Sequence, residues 1–245
     1  MSRLVHSRYI RGLLAGAKRA LLSFALPDSC LHCHAPLTGG EACLCPVCRR
    51  SLRPEPGLLR LEPTPVLYAT PYAGAAATLI RALKFGDRPD ASGLLGGLVC
   101  SLLESLLTRR ERERVILIPL PLHRTRRRER GYDQTRLLCE SVASCGGYPV
   151  AHGVLRRVRA TRPQTLLARE QRLANVIGCF RVAQATPGGG LLVLLDDVAT
   201  TGATLGAARA ALELAGFPVR LAVAAAGSRP HDHDHQTSWG GTAHY

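Results

Sequence analysis

The sequence predicts an α/β protein in which helices flank a mainly parallel central sheet, with a small cysteine-rich module ahead of it. Two apolar runs, residues 115–120 and 191–195, have the length and continuity of strands that are buried on both faces. A helix-forming stretch follows each run, as the crossovers of a parallel sheet require. Two C-x-x-C pairs lie upstream of this alternation. A chain of 245 residues with 46% hydrophobic content can bury one substantial core plus a small module.

The N-terminal residues 1–26 predict a basic amphipathic helix. Its leucines lie on or near one face: Leu13, Leu14, Leu21 and Leu22. Lys18 and Arg19 interrupt the apolar segment, which argues against a signal peptide. No run in the chain approaches the roughly 18 to 20 apolar residues that span a bilayer. We expect the helix to pack on the protein, with a membrane surface or a partner as the alternative, and the compartment to be the cytoplasm.

Residues 27–53 carry the spacing of a structural metal site, a zinc ribbon. Cys30 and Cys33 form one C-x-x-C pair, and Cys45 and Cys48 form a second pair after eleven intervening residues. Two such pairs bring four thiolates to the corners of a tetrahedron, which suits a structural Zn²⁺. The alternative is a pair of disulfides, which a cytoplasmic protein seldom contains. Three neighbours of the pairs are interpreted as bystanders: His32, His34 and Cys43.

The rest of the chain divides into a linker, one domain and a tail. The proline-rich residues 54–65 predict a linker, residues 66–226 the α/β domain, and residues 227–245, with their HDHDH run, a disordered tail. Within the domain, strands are predicted at 66–69, 115–120, 180–182, 191–195 and 219–226. Helices are predicted at 75–83, 94–107, 134–144 and 205–215.

The charge balance favours anionic partners. The net charge is +14, and arginine carries almost all of it because Lys18 and Lys84 are the only lysines. Codon bias toward arginine explains the choice of arginine over lysine but not the excess of positive charge. Phosphorylated small molecules and nucleic acids are the partner classes that such a surface attracts. An aromatic content of 4% argues against a dedicated base-stacking platform.

The segment LLVLLDDVATTGAT, residues 191–204, has the chemistry of a phosphate and diol site. Asp196 and Asp197 follow the apolar run and could accept hydrogen bonds from a vicinal diol or help to hold a divalent cation. The following loop leads into a helix, whose positive N-terminal end attracts phosphate. The loop residues in question are Ala199, Thr200, Thr201, Gly202 and Thr204. A Walker-B element is the alternative, but the chain contains no Gly-Lys pair for the phosphate loop that it needs.

This segment resembles the signature for 5-phosphoribosyl-1-pyrophosphate (PRPP) in type I phosphoribosyltransferases. The resemblance implies the fold of those enzymes, with Asp196 and Asp197 on the ribose hydroxyls and the loop on the 5′-phosphate. It also implies that PRPP binds with Mg²⁺ and that cationic side chains neutralise its pyrophosphate. The candidates for that role are Lys84, Arg126 and Arg130.

Further motifs resemble the ComF family, of the ComFC/GntX type, in which a zinc ribbon precedes a phosphoribosyltransferase-like domain. They occur in the family's order: the C-x-x-C pairs, Leu83-Lys84-Phe85, Pro119-Leu-Pro-Leu-His123, Arg126 to Gln134, Arg162-Pro-Gln164, Arg172-x-x-Asn175 and Phe180. One position departs from the family pattern, since Asp133 stands where Asn is usual. We expect Asp133 to face the metal or to help position a base.

Two functions follow from the resemblance. The first is an enzyme, a phosphoribosyltransferase that uses PRPP and Mg²⁺ with an acceptor that the sequence does not identify. The second is a nucleic-acid-binding adaptor, because the ComF family is associated with DNA uptake and natural transformation. In that case the zinc ribbon and the basic N-terminus would bind single-stranded DNA beside a helicase-like partner. A homodimer is the oligomeric state that the superfamily suggests.

Overall fold

The computed structural model of the chain describes residues 29–37, 42–59, 65–123, 125, 127–128, 131–159, 176, 178–186 and 188–228. Several predicted features lie outside the described residues: the helix at 1–26, Arg126, Arg130, the motifs at 162–164 and 172–175, and the tail beyond 228. The chain divides into two compact units, Met1–Ser51 and Leu52–Tyr245.

The first unit combines a turn with a short helix. A β-bridge joins Ser29 to Pro36 across the turn. Helix α1 spans Pro46–Ser51, and a proline suits its first turn because the N–H groups there have no intrahelical acceptor. The turn carries the first C-x-x-C pair, and the start of α1 carries the second.

The second unit is built on two sheets. Its strands are β1 (Gly57–Leu59), β2 (Val66–Pro71), β3 (Val115–Pro119), β4 (Leu155–Arg157), β5 (Phe180–Val182), β6 (Leu191–Ala199) and β7 (Val219–Gly227). Five of them form the central sheet in the order β1-β2-β7-β6-β3. All neighbours in it are parallel except β1 and β2. The edge strand β1 comes from the segment that was predicted as a linker, and β4 pairs with β5 in a separate antiparallel ribbon.

Helices cover both faces of the central sheet. They are α2 (Gly74–Phe85), α3 (Ala91–Leu106), α4 (Arg109–Arg112), α5 (Gln134–Gly146) and α6 (Ala203–Leu214). On one face, Leu192 and Leu194 of β6 pack with Leu205 and Leu212 of α6. Because side chains alternate along a strand, Val193 and Leu195 point to the other face, where α3 and α5 contact the sheet.

The fold class predicted from the sequence is confirmed, since the described residues form an α/β unit with a mainly parallel sheet preceded by four clustered cysteines. Most boundaries fall within a few residues of the expected ones. The largest difference is at β6, which continues through the two aspartates to Ala199. Asp196 and Asp197 therefore belong to the strand, which holds them more rigidly than a loop would.

Candidate functional site

The carboxyl end of β6 leads directly into the N-terminus of α6. Gly202 occupies the N-cap position of α6 with φ 77°, a left-handed conformation that a residue with a Cβ adopts only with strain. The Ala203 N–H donates to Thr201 Oγ1 at 3.4 Å, so a side chain of the loop turns toward the helix terminus. Ligands of open α/β sheets bind at this edge, and the first N–H groups of a helix suit a phosphate there.

The predicted loop residues lie together at this edge. Ala199 is the last residue of β6, is buried, and accepts a hydrogen bond from the Ser228 N–H at 3.1 Å, which joins the ends of β6 and β7. Thr200, Thr201 and Thr204 are half-buried. The carboxyl ends of β2 and β7 are joined in the same way, because the Tyr72 N–H donates to the Gly227 carbonyl at 2.8 Å.

The two aspartates lie just beyond the last residue of β6 that pairs with β3. Lys84 Nζ, at the end of α2, is 2.8 Å from Asp197 Oδ1. The Asp197 side chain is 4% exposed and that of Lys84 is 21% exposed. The ion pair is therefore largely shielded from water. The attraction between its charges is stronger there than it would be on the surface, because the effective dielectric constant is lower. The structure thus brings Lys84 to the acid pair, although α2 and β6 are distant in sequence.

Asp196 is set apart from Asp197 by its electrostatics. Burial and the neighbouring Asp197 carboxylate raise the pKa of Asp196 to about 7, against the opposing effects of Lys84, the Asp197 N–H and Arg157. The Asp197 N–H donates to Asp196 Oδ1 at 2.8 Å. The single positive charge of Lys84 therefore does not fully compensate two ionised carboxylates at neutral pH.

The chemistry of the two adjacent carboxylates fits a hydrated Mg²⁺. Asp197 Oδ2 is buried and has no hydrogen-bond partner among the described residues, and the same is true of Gln134 Oε1 at the start of α5. Buried polar atoms without partners are rare and point to a missing ligand, ion or water. Carboxylates are also the side chains that commonly bind Mg²⁺.

The segment at 131–134 is positioned by contacts on both sides. Tyr132 Oη donates to the Leu83 carbonyl at 2.6 Å, which joins this segment to the end of α2 beside Lys84. Asp133 is the N-cap of α5, and its Oδ1 accepts the Arg136 N–H at 3.2 Å. Burial raises the pKa of Asp133, while the N–H groups of Arg136, Leu122 and Thr135 partly offset that effect. Among the described residues, the contacts of Asp133 are therefore those of a helix cap, and the metal or base contact expected from the sequence stays a prediction.

The four predicted cysteines come together in the first unit. The sulfurs of Cys30, Cys33, Cys45 and Cys48 all lie within 4.8 Å of one another. Cys33 Sγ and Cys45 Sγ are 3.7 Å apart, close to the ~3.8 Å that separates sulfurs bound to one tetrahedral zinc at ~2.3 Å. The three neighbours interpreted as bystanders, His32, His34 and Cys43, are not part of the cluster.

The thiols of this cluster also have perturbed proton affinities. Burial raises the pKa of Cys30, but the N–H groups of Cys33, Cys45 and His32 donate to its sulfur and lower it overall to about 6. Burial and the surrounding cysteine sulfurs raise the pKa of Cys48 to about 12. Without a cation, four thiolates cannot ionise together in so small a volume, so the cluster is suited to hold a metal ion.

Two of the predicted site residues, Arg126 and Arg130, lie outside the described residues. Tyr132 as a positioning residue and the strand β4 were not predicted from the sequence. A signal for Tyr132 was available, because an aromatic hydroxyl stands between Gly131 and the N-cap Asp133 of the helix. Among the described residues, no helix combines the length and hydrophobicity that are needed to cross a membrane.

No model of a known protein family matches the sequence. Individual relatives do. DNA utilization protein YhgH of Salmonella typhimurium is 30% identical over 206 residues, which cover 74% of this chain and 88% of that protein. Competence protein F of Haemophilus influenzae is 25% identical over 198 residues, 72% of this chain and 86% of that protein.

Competence protein ComFC of Bacillus subtilis is 36% identical over 99 residues, which cover 40% of this chain and 38% of that protein. The resemblance inferred from the motifs is thus confirmed by relatives that align along most of the chain. Together with the α/β unit and the four clustered cysteines, these similarities show that the chain belongs to the ComF family.

Proposed function

We propose that the second unit binds PRPP together with Mg²⁺ and transfers its phosphoribosyl group to an acceptor. The observation that supports this most is the junction of β6 with α6. There, an acid pair held by Lys84 adjoins a glycine-capped helix N-terminus. A diol and a phosphate separated by the length of a pentose would meet complementary groups at this junction.

Each residue has a distinct part in this proposal. Asp196 and Asp197 accept hydrogen bonds from the ribose hydroxyls, and the loop from Ala199 to Thr204 surrounds the 5′-phosphate. Lys84, with Arg126 and Arg130, supplies positive charge for the pyrophosphate. Bound Mg²⁺ would supply further positive charge at the oxygens of the ligand.

In the reaction, the bond from the anomeric carbon to the pyrophosphate oxygen breaks, and a bond to the acceptor forms. The acceptor gives up its proton, and pyrophosphate leaves with the electron pair. Because positive charge develops on the ribose ring and negative charge on the leaving group, cationic side chains and ring-facing carboxylates stabilise opposite ends of the transition state.

Isothermal titration calorimetry tests the binding step. We expect PRPP to bind in the presence of Mg²⁺ and not in EDTA, and Asp197→Asn to weaken binding at least tenfold. Glu213→Gln is the matched control, since it removes one carboxylate from the far end of α6, where Glu213 pairs with Arg209. Absence of PRPP binding, or PRPP binding that Asp197→Asn leaves unchanged, would contradict the proposal.

Transfer of the phosphoribosyl group is tested by measuring pyrophosphate release from PRPP in the presence of a panel of nucleobases and single-stranded DNA.

The four-cysteine cluster supports a second part of the proposal, a structural Zn²⁺ in the first unit. With four sulfur ligands the ion has no open position for a substrate, so its role is to hold the turn and α1 together. We expect close to one zinc per chain by atomic emission spectroscopy. A chain that is folded between residues 29 and 51 without metal would contradict this assignment.

A nucleic-acid-binding adaptor is the second candidate function. It is favoured by the net charge of +14 and by relatives that are named for DNA utilization and competence. In this proposal the chain acts in the cytoplasm on single-stranded DNA, beside a helicase-like partner or as a homodimer. Salt-sensitive binding of single strands by the full chain would support it, and the absence of such binding at low salt would exclude it.

A further inference from the structure

The ribbon of β4 and β5 has two chemically different faces. Leu155 and Val182 are opposite one another, as are Arg157 and Phe180. Leu155 and Phe180 belong to the hydrophobic core, and Val182 packs against it. The Arg157 guanidinium lies over the Phe180 ring at 5.5 Å from its centroid. The alternate positions point outward, and there Arg156 is directly opposite Arg181. Both of these arginines are exposed.

A directly opposed pair of like charges destabilises an antiparallel ribbon. Within the described part of the chain, neither Arg156 nor Arg181 has an ion pair with a carboxylate. Some other arginines have such partners: exposed Arg136 pairs with Glu140, exposed Arg220 with Glu111 and half-buried Arg209 with Glu213. The outer face of the ribbon therefore keeps a concentrated positive charge that an anion from outside could neutralise.

An apolar side chain extends the same face. Val158 follows β4 two positions after Arg156, so the alternation of a strand directs it outward too, and it is 51% exposed. A phosphodiester backbone with unstacked bases offers anionic groups for the arginines and base surfaces for Val158 and the guanidinium planes. A duplex keeps its base faces stacked inside and cannot use the apolar part of this face.

We infer that the outer face of the β4–β5 ribbon, formed by Arg156, Arg181 and Val158, is a docking surface for the backbone of a single nucleic-acid strand. Arg157, on the opposite face of the ribbon, lowers the pKa of Asp196 electrostatically, whereas Arg156 and Arg181 point away from that face. The inference rests on the nucleic-acid-binding function proposed above and is independent of PRPP binding.

Salt dependence of binding tests this surface in the full-length chain. The probe is a fluorescent single-stranded oligonucleotide, and its binding is measured by anisotropy between about 0.05 and 0.3 M salt, where the Debye length falls from roughly 14 to roughly 6 Å. The test variant is Arg156→Gln with Arg181→Gln. The matched control is Arg209→Gln with Arg220→Gln, which removes the same net charge from arginines that already have carboxylate partners.

We expect the test variant to lower the slope of log K against log salt by about 1.4, which is two phosphate contacts at ~0.7 each. If the lines meet at 1 M salt, that change corresponds to a roughly 25-fold loss of affinity at 0.1 M. The control should keep the slope of the unmodified chain. Arg181→Glu provides a variant that should fold well, because it places opposite charges across the ribbon, and it should bind no better than the double variant.

The outcomes distinguish a failure of this surface from a failure of the nucleic-acid-binding function on which it rests. If the unmodified protein does not bind single-stranded DNA, both the adaptor function and this surface are overturned. Binding that survives in the Arg156/Arg181 variant, or that falls equally in the control, would overturn the surface alone. Duplex bound as tightly as the single strand would overturn the assignment to single strands. PRPP titrations of the same variants should be unchanged, so a failure of the PRPP site is recognised independently.

Discussion

The cysteine cluster and the acid site are assembled in opposite ways. The four cysteines come from one short stretch and offer four identical ligand atoms, so that local chain geometry alone can bring them within 4.8 Å of one another. The acid site combines β6 with the end of α2 and, through Tyr132, with the segment before α5. The first site is therefore specified by the local spacing of its residues, whereas the second requires the folded core.

The largest effect should come from the cysteine cluster. Cys45→Ser removes one ligand, and because metal binding in small zinc modules contributes roughly 10–16 kcal/mol, the first unit should lose its fold. Limited proteolysis should then cut within residues 29–51 while the second unit stays resistant. Cys43→Ser is the control, because Cys43 is buried but lies outside the cluster. Equal resistance of both variants would show that the local spacing serves packing and not a metal.

Asp196→Asn should stabilise the protein, and more so as the pH rises. The pKa of Asp196 is raised from 3.8 to about 7 in the folded state. Folding therefore favours the protonated carboxyl, and the protein loses stability as the pH rises from about 4 to about 7. Asparagine avoids that loss, with a gain on the order of 2–4 kcal/mol at pH 8 and almost none at pH 3.5. Chemical denaturation at both pH values measures the difference. A stability difference that is the same at both pH values would mean that folding does not raise the pKa of Asp196.

Lys84→Met should destabilise the second unit by about 2 kcal/mol, because Asp197 would remain buried without its partner. Methionine keeps much of the apolar stem of lysine, so packing changes little. Adding Asp197→Asn should recover most of the loss, and a double-mutant cycle by denaturation measures the coupling. Additive effects of the two changes would show that the 2.8 Å pairing does not contribute to stability.

Much of the fold could be predicted from the sequence, because β3, β6 and β7 are continuous apolar runs and because glycine and proline residues mark the turns between elements. Asp196, Asp197 and the loop after them were identifiable because strand, turn and helix are contiguous. By contrast, β1 and β4 were not predicted: like β5, each has only three residues, which is too short for a periodic pattern, and β1 lies in the proline-rich segment 54–65. Their pairing depends on strands elsewhere in the chain, as does the contact between Lys84 and Asp197.

Asp133 shows that a local motif does not by itself decide what a side chain contacts. Its position in the Arg130–Gln134 motif suggested metal or base contact, but whether it reaches a ligand or the backbone depends on where α5 begins.

Because Asp133 caps α5, Asp133→Ala should lower the free energy of unfolding by about 1 kcal/mol. Asp133→Asn keeps an oxygen acceptor and avoids a buried charge, and since burial raises the pKa of Asp133, asparagine should equal or exceed aspartate in stability as the pH rises to 8. Thermal unfolding of the two variants at pH 5 and 8 measures both effects. If Asn instead destabilised the fold like Ala, the carboxylate charge itself would be required, and Asp133 would belong to the acid site that the core assembles.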